Sequence, residues 1–322
     1  MKQIEHSLSE TPSLPPKKPN RPKLHPFFQQ TLPSTSSHPT LLSTVLIFCL
    51  TGIVFIIIGV VSMAVTAKVK FFETRYDSEC NDSTCRFEID LDSDMEAPVY
   101  LYLEMRNFYQ NHWNVVKSVS YWQLQGEDLE TEDLVTCAPT VTYDDAELKD
   151  VNYTTPTEDD DDPMYPCGLL PRSYAYAQDR FRMFKGGSEI TIDEGDIAWE
   201  ADMDYRYFNL DNWRKKQWVD VEDEHFAVWM RTANLPWFIK LWGSIDEDLD
   251  EGKYSFIVTN VYDVSDFEAE KWLMLSTTSA FGGKDLYIAI AFIGSGSLFF
   301  VLGFAFLVKG LKERRQSVWA VS

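Results

Sequence analysis

Charge is missing from two long stretches of this chain, and that absence excludes a soluble globular protein. From Leu41 to Ala67 the sequence reads LLSTVLIFCLTGIVFIIIGVVSMAVTA, 27 residues without Asp, Glu, Lys, Arg or His. A helix of that length rises about 40 Å at ~1.5 Å per residue, enough to cross a hydrocarbon core of roughly 30 Å with some tilt. A core helix of a soluble protein is rarely so long and so uniformly apolar, and a secretory signal has a shorter apolar region behind a short basic start. Here some forty polar, proline-rich residues come first. Leu286 to Val308, LYIAIAFIGSGSLFFVLGFAFLV, lacks charge in the same way and predicts a second crossing.

Catalytic motifs are also lacking. Gly282-Gly283-Lys284 is followed by Asp285 and has no spaced first glycine, so it is not a phosphate loop. No His-Glu-x-x-His and no Gly-x-Ser-x-Gly occurs, and between the two apolar runs the only histidines are His112 and His225. With no ionisable side chain in either run, the spans by themselves build no proton or ion path. Neither an enzyme nor a transporter acting alone fits, and no cofactor is expected.

What remains is a tail (1–40), a first transmembrane helix (41–67), an ectodomain (68–285), a second transmembrane helix (286–308) and a short tail (309–322). Lys2, Lys17, Lys18, Arg21 and Lys23 precede the first span, and Lys309, Lys312, Arg314 and Arg315 follow the second. The positive-inside rule therefore puts both termini in the cytosol and the ectodomain in the lumen or outside the cell. Residues 1–40, rich in Ser, Thr and Pro, read as disordered, with Phe27-Phe28-Gln29-Gln30 the one interruption. Those phenylalanines suit either the membrane interface or a docking contact.

The ectodomain holds 47 of the 50 acidic residues and 20 of the 29 basic ones, a net charge of −27. Such a surface repels nucleic acid and anionic lipid. The run Glu158 to Asp162 lacks the spaced ligands and turn glycine of a calcium loop and reads as a solvated loop. Cys49 lies in the first span; Cys80, Cys85, Cys137 and Cys167 lie in the ectodomain, an even number that reads as two disulfides in an oxidising compartment. Of three possible pairings, Cys80 with Cys85 and Cys137 with Cys167 brings sequence neighbours together at least cost. Asn81-Asp82-Ser83 and Asn152-Tyr153-Thr154 are glycosylation sequons in the same segment.

Alternation of Phe87, Ile89 and Leu91, of Val99, Leu101 and Leu103, of Ile190 and Ile192, and of Tyr254, Phe256 and Val258 predicts short antiparallel strands. Phe226, Trp229, Met230 and Ala233 have helical spacing and stop before Pro236. The expected fold is a membrane protein whose two transmembrane helices flank a large β-rich (α+β), disulfide-bonded ectodomain, an antiparallel β-sandwich with short helices. Gly52 and Gly59, and Gly296 and Gly303, recur at seven residues and leave a face where another helix approaches closely, either the other span or a different protein.

Six pieces of sequence carry a resemblance. They are Phe27-Phe28-Gln29-Gln30 with Leu32-Pro33; Asn107 through His112 with Val116-Lys117-Ser118; Tyr165-Pro166-Cys167-Gly168-Leu169; Ile197-Ala198-Trp199 with Asp202; Trp229-Met230-Arg231-Thr232-Ala233 with Leu235-Pro236; and Leu275-Ser276-Thr277 with Phe281-Gly282-Gly283-Lys284. In this order and on this two-span frame the chain resembles the cell division control protein 50 / ligand-effect modulator 3 family, accessory (beta) subunits of type IV P-type ATPases that flip phospholipids. It departs from the family at Trp113-Asn114, where a pair of arginines is usual. The resemblance implies a heterodimer with a catalytic alpha subunit that handles ATP and phospholipid, and residence in the endoplasmic reticulum, Golgi, endosomes and plasma membrane. It implies partner contacts at Phe27, Phe28, Gln29 and Gln30, and at Trp229, Met230, Arg231, Gly282, Gly283 and Lys284, the latter six explained equally well by a core role. Against it stand a surface receptor or adhesion ectodomain and an ectoenzyme acting on glycans.

Overall fold

The computed structural model describes residues 40–78, 80, 84–145, 161–260, 263–280 and 282–319. Two long helices, α1 (Leu41–Thr66) and α7 (Tyr287–Trp319), are long and apolar enough to cross a membrane. Helix α7 runs on past Val308, where the apolar run stops, because Leu311 to Gln316 are good helix formers and no proline breaks the backbone.

The described residues form two compact units, one within 50–300 and one of 40–49 with 301–319. In the larger unit the glycine rows of the two helices face each other. A Cβ on Gly296 would stand 2.8 Å from the carbonyl oxygen of Gly52, and one on Gly59 3.0 Å from that of Ala289. Phe55 stands edge-on to Phe292 and Phe299, with centroids 5.5 and 5.6 Å away. The glycines thus serve the approach of one span to the other. In the smaller unit Phe48 stacks on Phe306 at 5.5 Å.

Between the helices lies a sandwich of two four-stranded antiparallel sheets. The strands are β1 (Phe71–Arg75), β2 (Cys85–Leu91), β3 (Val99–Arg106), β4 (Arg180–Lys185), β5 (Ser188–Ile190), β6 (Trp237–Ile245), β7 (Gly252–Thr259) and β8 (Glu270–Thr277). The first sheet has the order β1-β8-β3-β6 and the second β2-β7-β4-β5. Strand β1 leaves α1 and pairs with β8, which leads to α7, with Phe71 opposite Ser276, so both ends of the domain rise together from the two helices.

Alternation sets which face is inside. Val99, Leu101, Leu103 and Met105 of β3 and Tyr254, Phe256 and Val258 of β7 are buried, each side chain stabilising the fold by roughly 1.5–3 kcal/mol. An aromatic contact joins the layers, Phe181 of β4 meeting Trp242 of β6 at 5.1 Å, while within the second sheet Phe87 of β2 stacks on Phe256 of β7 at 5.8 Å. Helices α2 (Trp113–Lys117), α3 (Tyr121–Leu124) and α4 (Leu169–Arg172) lie in the connection from β3 to β4, and α5 (Glu200–Tyr205) and α6 (Glu224–Met230) in that from β5 to β6.

Two elements are shorter than their periodicity predicts. Strand β5 ends at Ile190, leaving Ile192 outside it. Helix α6 ends at Met230, three residues before Ala233, because Arg231 turns to φ −74°, ψ 95° and the ammonium of Lys240 caps the helix end.

Candidate partner-binding surface

The motif pieces that stand apart in sequence interlock in space. Gln110 is their hub: its amide donates to the carbonyl of Trp229 at 2.8 Å and accepts from the backbone N–H of Ala233 at 2.9 Å. Asn111 donates to the carbonyl of Asn234 at 2.7 Å. Phe108 sets its ring 5.7 Å from that of Trp229. His112 caps α2, its Nδ1 accepting from the N–H of Asn114 at 3.3 Å.

Ser118 makes the next joint. Its hydroxyl donates to the carbonyl of Cys137 at 2.7 Å and accepts from the N–H of Leu169 at 2.9 Å, while its carbonyl accepts from Leu170 at 3.2 Å. Gly168 lies against it with φ +107°, where a Cβ would collide with the Ser118 carbonyl, so only glycine fits. Cys167 is disulfide-bonded to Cys137 beside this joint, with Cα atoms 5.6 Å apart, and Cys80 is bonded to Cys85 at 5.3 Å.

A third joint ties Ile197-Ala198-Trp199 to α6. The carboxylate of Glu224 accepts from the N–H groups of Ile197 (2.6 Å) and Ala198 (2.8 Å). Buried Asp202 accepts from Arg231 at 2.5 Å, and the guanidinium lies 4.8 Å from the Trp199 ring centroid.

Of the residues singled out in sequence, Trp229 and Met230 are buried. The Trp229 indole donates to Ser173 at 2.9 Å, so the core role accounts for it. Arg231 reaches the surface beside Trp199, which is 66% exposed, and the two form an aromatic and cationic pair between the start of α5 and the end of α6. Gly282, Gly283 and Lys284 lie on an exposed turn between β8 and α7, where the backbones of Ser279 and Gly282 bond each other. Lys284 sets its ammonium 4.6 Å from the Phe71 centroid. Phe27, Phe28, Gln29, Gln30, Asn81 and Asn152 lie outside the described residues.

Two buried cations escape a reading by motif. Lys240 donates to the carbonyls of Val228 and Trp229, each at 3.2 Å, and to that of Arg231. Burial, and secondarily the charge of Arg231, pushes its pKa down to about 7. Its signal in sequence is a lysine at an inward position of a strand, between Phe238 and Trp242. Lys271, wholly buried, bonds both oxygens of Asp179 at 2.9 and 3.1 Å and joins the two sheets.

The model of the LEM3 (ligand-effect modulator 3) family / CDC50 family matches residues 64–316. The chain is 30% identical to "ALA-interacting subunit 3" of Arabidopsis thaliana over 92% of its own length and 88% of that protein's. It is 29% identical to "Cell cycle control protein 50A" of Bos taurus, with 93% and 92% covered, and 29% identical to "Cell cycle control protein 50C" of the same organism, with 80% and 78% covered.

Proposed function

Because the chain belongs to the LEM3/CDC50 family, we propose that it is the non-catalytic accessory subunit of a phospholipid-translocating type IV P-type ATPase. The observation that carries this reading is the similarity, over nine-tenths of the chain, to a protein named as an interacting subunit, "ALA-interacting subunit 3". The absence of catalytic motifs in the sequence supports it. ATP hydrolysis and lipid handling belong to the alpha subunit, and this chain supports its folding, its exit from the endoplasmic reticulum and its transport-competent conformations.

Both termini face the cytosol, a topology that the tail lysines and arginines favour, and the sandwich stands in the lumen. There it acts as a cap on the lumenal loops of the pump, with contacts at Arg231 and Lys284, while Phe27 to Gln30 dock on the cytosolic side. The complex passes from the endoplasmic reticulum to Golgi, endosomes and plasma membrane. Pulldown of the full chain from mild detergent, read by mass spectrometry, is expected to recover a multi-span P-type ATPase; recovery of this chain alone would overturn the reading.

A further inference from the structure

The outer face of the first sheet holds a buried acceptor that nothing donates to. In β3 the odd-numbered side chains enter the core, so Tyr100, Tyr102, Glu104 and Arg106 point the other way. Glu104 is nevertheless only 1% exposed. The indole N–H of Trp237 and the Nε–H of Arg106 both donate to its Oε1 at 2.5 Å, and the guanidinium lies 3.7 Å from the Trp272 centroid. Among the described residues no group donates to Oε2, which is itself buried. A buried acceptor stripped of water and given no donor in exchange is strongly unfavourable, so such atoms are rarely left without a donor from solvent or a partner.

The charge on this face points the same way. Arg106 also bonds Glu73 at 3.0 Å, and Arg75 bonds Asp77 and Glu270 at 2.7 and 2.6 Å. Two guanidiniums are thus shared among four carboxylates, and negative charge is left over. Strand β6 forms the edge of the sheet, with Ile239 directly opposite Glu104 in register. Trp237 and Ile239 are 62% and 45% exposed, an apolar rim beside the acidic centre. Interface energy concentrates in Trp, Tyr and Arg side chains near the centre of a contact, with surrounding contacts that exclude water.

We propose that this face, centred on Glu104, receives a lysine or arginine side chain from a lumenal loop of the catalytic subunit, whose N–H groups meet Oε2 while Trp237 and Ile239 pack around its stem. The inference rests on the reading of the chain as a flippase subunit. It is tested in the full-length complex by co-purifying the ATPase that the wild-type chain recovers. Glu104→Gln preserves shape and the acceptor for Trp237 and Arg106, but puts an N–H group where the partner's donor must come. Ile239→Lys adds a competing cation at an exposed position and does not touch the core. Each is expected to reduce recovery of the pump at least tenfold at equal expression, about 1.4 kcal/mol. Should Glu104→Gln fail to accumulate, Ile239→Lys decides alone. Undiminished recovery by Ile239→Lys, or by a well-expressed Glu104→Gln, overturns the docking face and leaves the proposed function standing. A wild-type chain that recovers no pump overturns both.

Discussion

Replacing Lys271 by Met is expected to loosen the sandwich more than any surface substitution. Lys271 stands in β8 of the first sheet and Asp179 just before β4 of the second, and both side chains are wholly buried. Asp179 also accepts from the Tyr76 hydroxyl at 2.5 Å, while Lys271 donates to Asn260 at 3.0 Å. Burial, and after it the charge of Asp179, holds the Tyr76 hydroxyl well above the ordinary tyrosine range, so it stays a donor. Met fills a similar volume but leaves a carboxylate in the core without its cation. Breaking a buried pair in this way costs about 3–5 kcal/mol, whereas replacing both partners with apolar residues is often close to neutral. For a domain of this size roughly 2–4 °C of melting temperature goes with each kcal/mol, so a loss of roughly 6–20 °C is expected. The assay is thermal unfolding of the detergent-solubilised chain followed by tryptophan fluorescence, run on K271M, on Asp179→Leu and on the double variant. The double variant should recover most of the loss. If K271M melts within a degree or two of wild type, or if the two single losses simply add, the pair does not join the sheets as argued.

The remaining expectations concern other joints. Gly296→Leu should separate the two long helices, since its Cβ would press on the Gly52 backbone at 2.8 Å; oxidative cross-linking between cysteines placed at Phe55 and Phe292 should then fall several-fold. Cys137→Ser removes a bridge closing 30 residues, worth about 3 to 4 kcal/mol on the chain-entropy model. The variant should remain in the endoplasmic reticulum by glycan-processing assay, and normal export would show the bridge to be dispensable. Lys240 has its folded pKa lowered to about 7, against roughly 10.4 for an ordinary lysine. Between those values the unfolded chain holds a proton that the folded chain does not, so stability should rise as pH increases from 7 to 9. Lys240→Met should flatten that rise, and a parallel profile for the two proteins would reject the assignment.

The two spans were legible because absence of charge is a property of the line of residues, independent of partners. Strands β2, β3 and β7 were legible because each has one face in the core and the other toward solvent, which writes alternation into the sequence. Strand β8, in contrast, reads EKWLMLST: large apolar side chains stand on its outer face as well, and the period of two is lost. Strand β6, WFIKLWGSI, is masked in the same way by Trp237 and Ile239, and its inward lysine misleads further. The Asp179–Lys271 pair joins residues 92 apart, and no local pattern announces it. For the site, the resemblance drew attention to Trp229-Met230-Arg231 as a block, yet the fold divides it. The first two complete the core around Gln110 and Phe108, and the third alone turns outward to Asp202 and Trp199.

That division bears on how an accessory subunit can matter to a pump. A bound protein shifts a conformational equilibrium only by the difference between its affinities for the two states, however tightly it binds either. Moving a pair of states from 1:99 to 99:1 takes about 5.5 kcal/mol of such difference. A pliant partner would follow the pump from one state to the other, keep its contacts in both and shift nothing. A sandwich whose sheets are joined by a buried ion pair, whose connections are held by Gln110, Ser118 and Glu224, and whose long crossover is closed by Cys137 and Cys167 resists that deformation. Contacts at its surface are then made in one state and lost in the other. On this argument, variants that loosen the interior should impair lipid transport while the pump is still bound, whereas variants at Glu104 or Ile239 should release it.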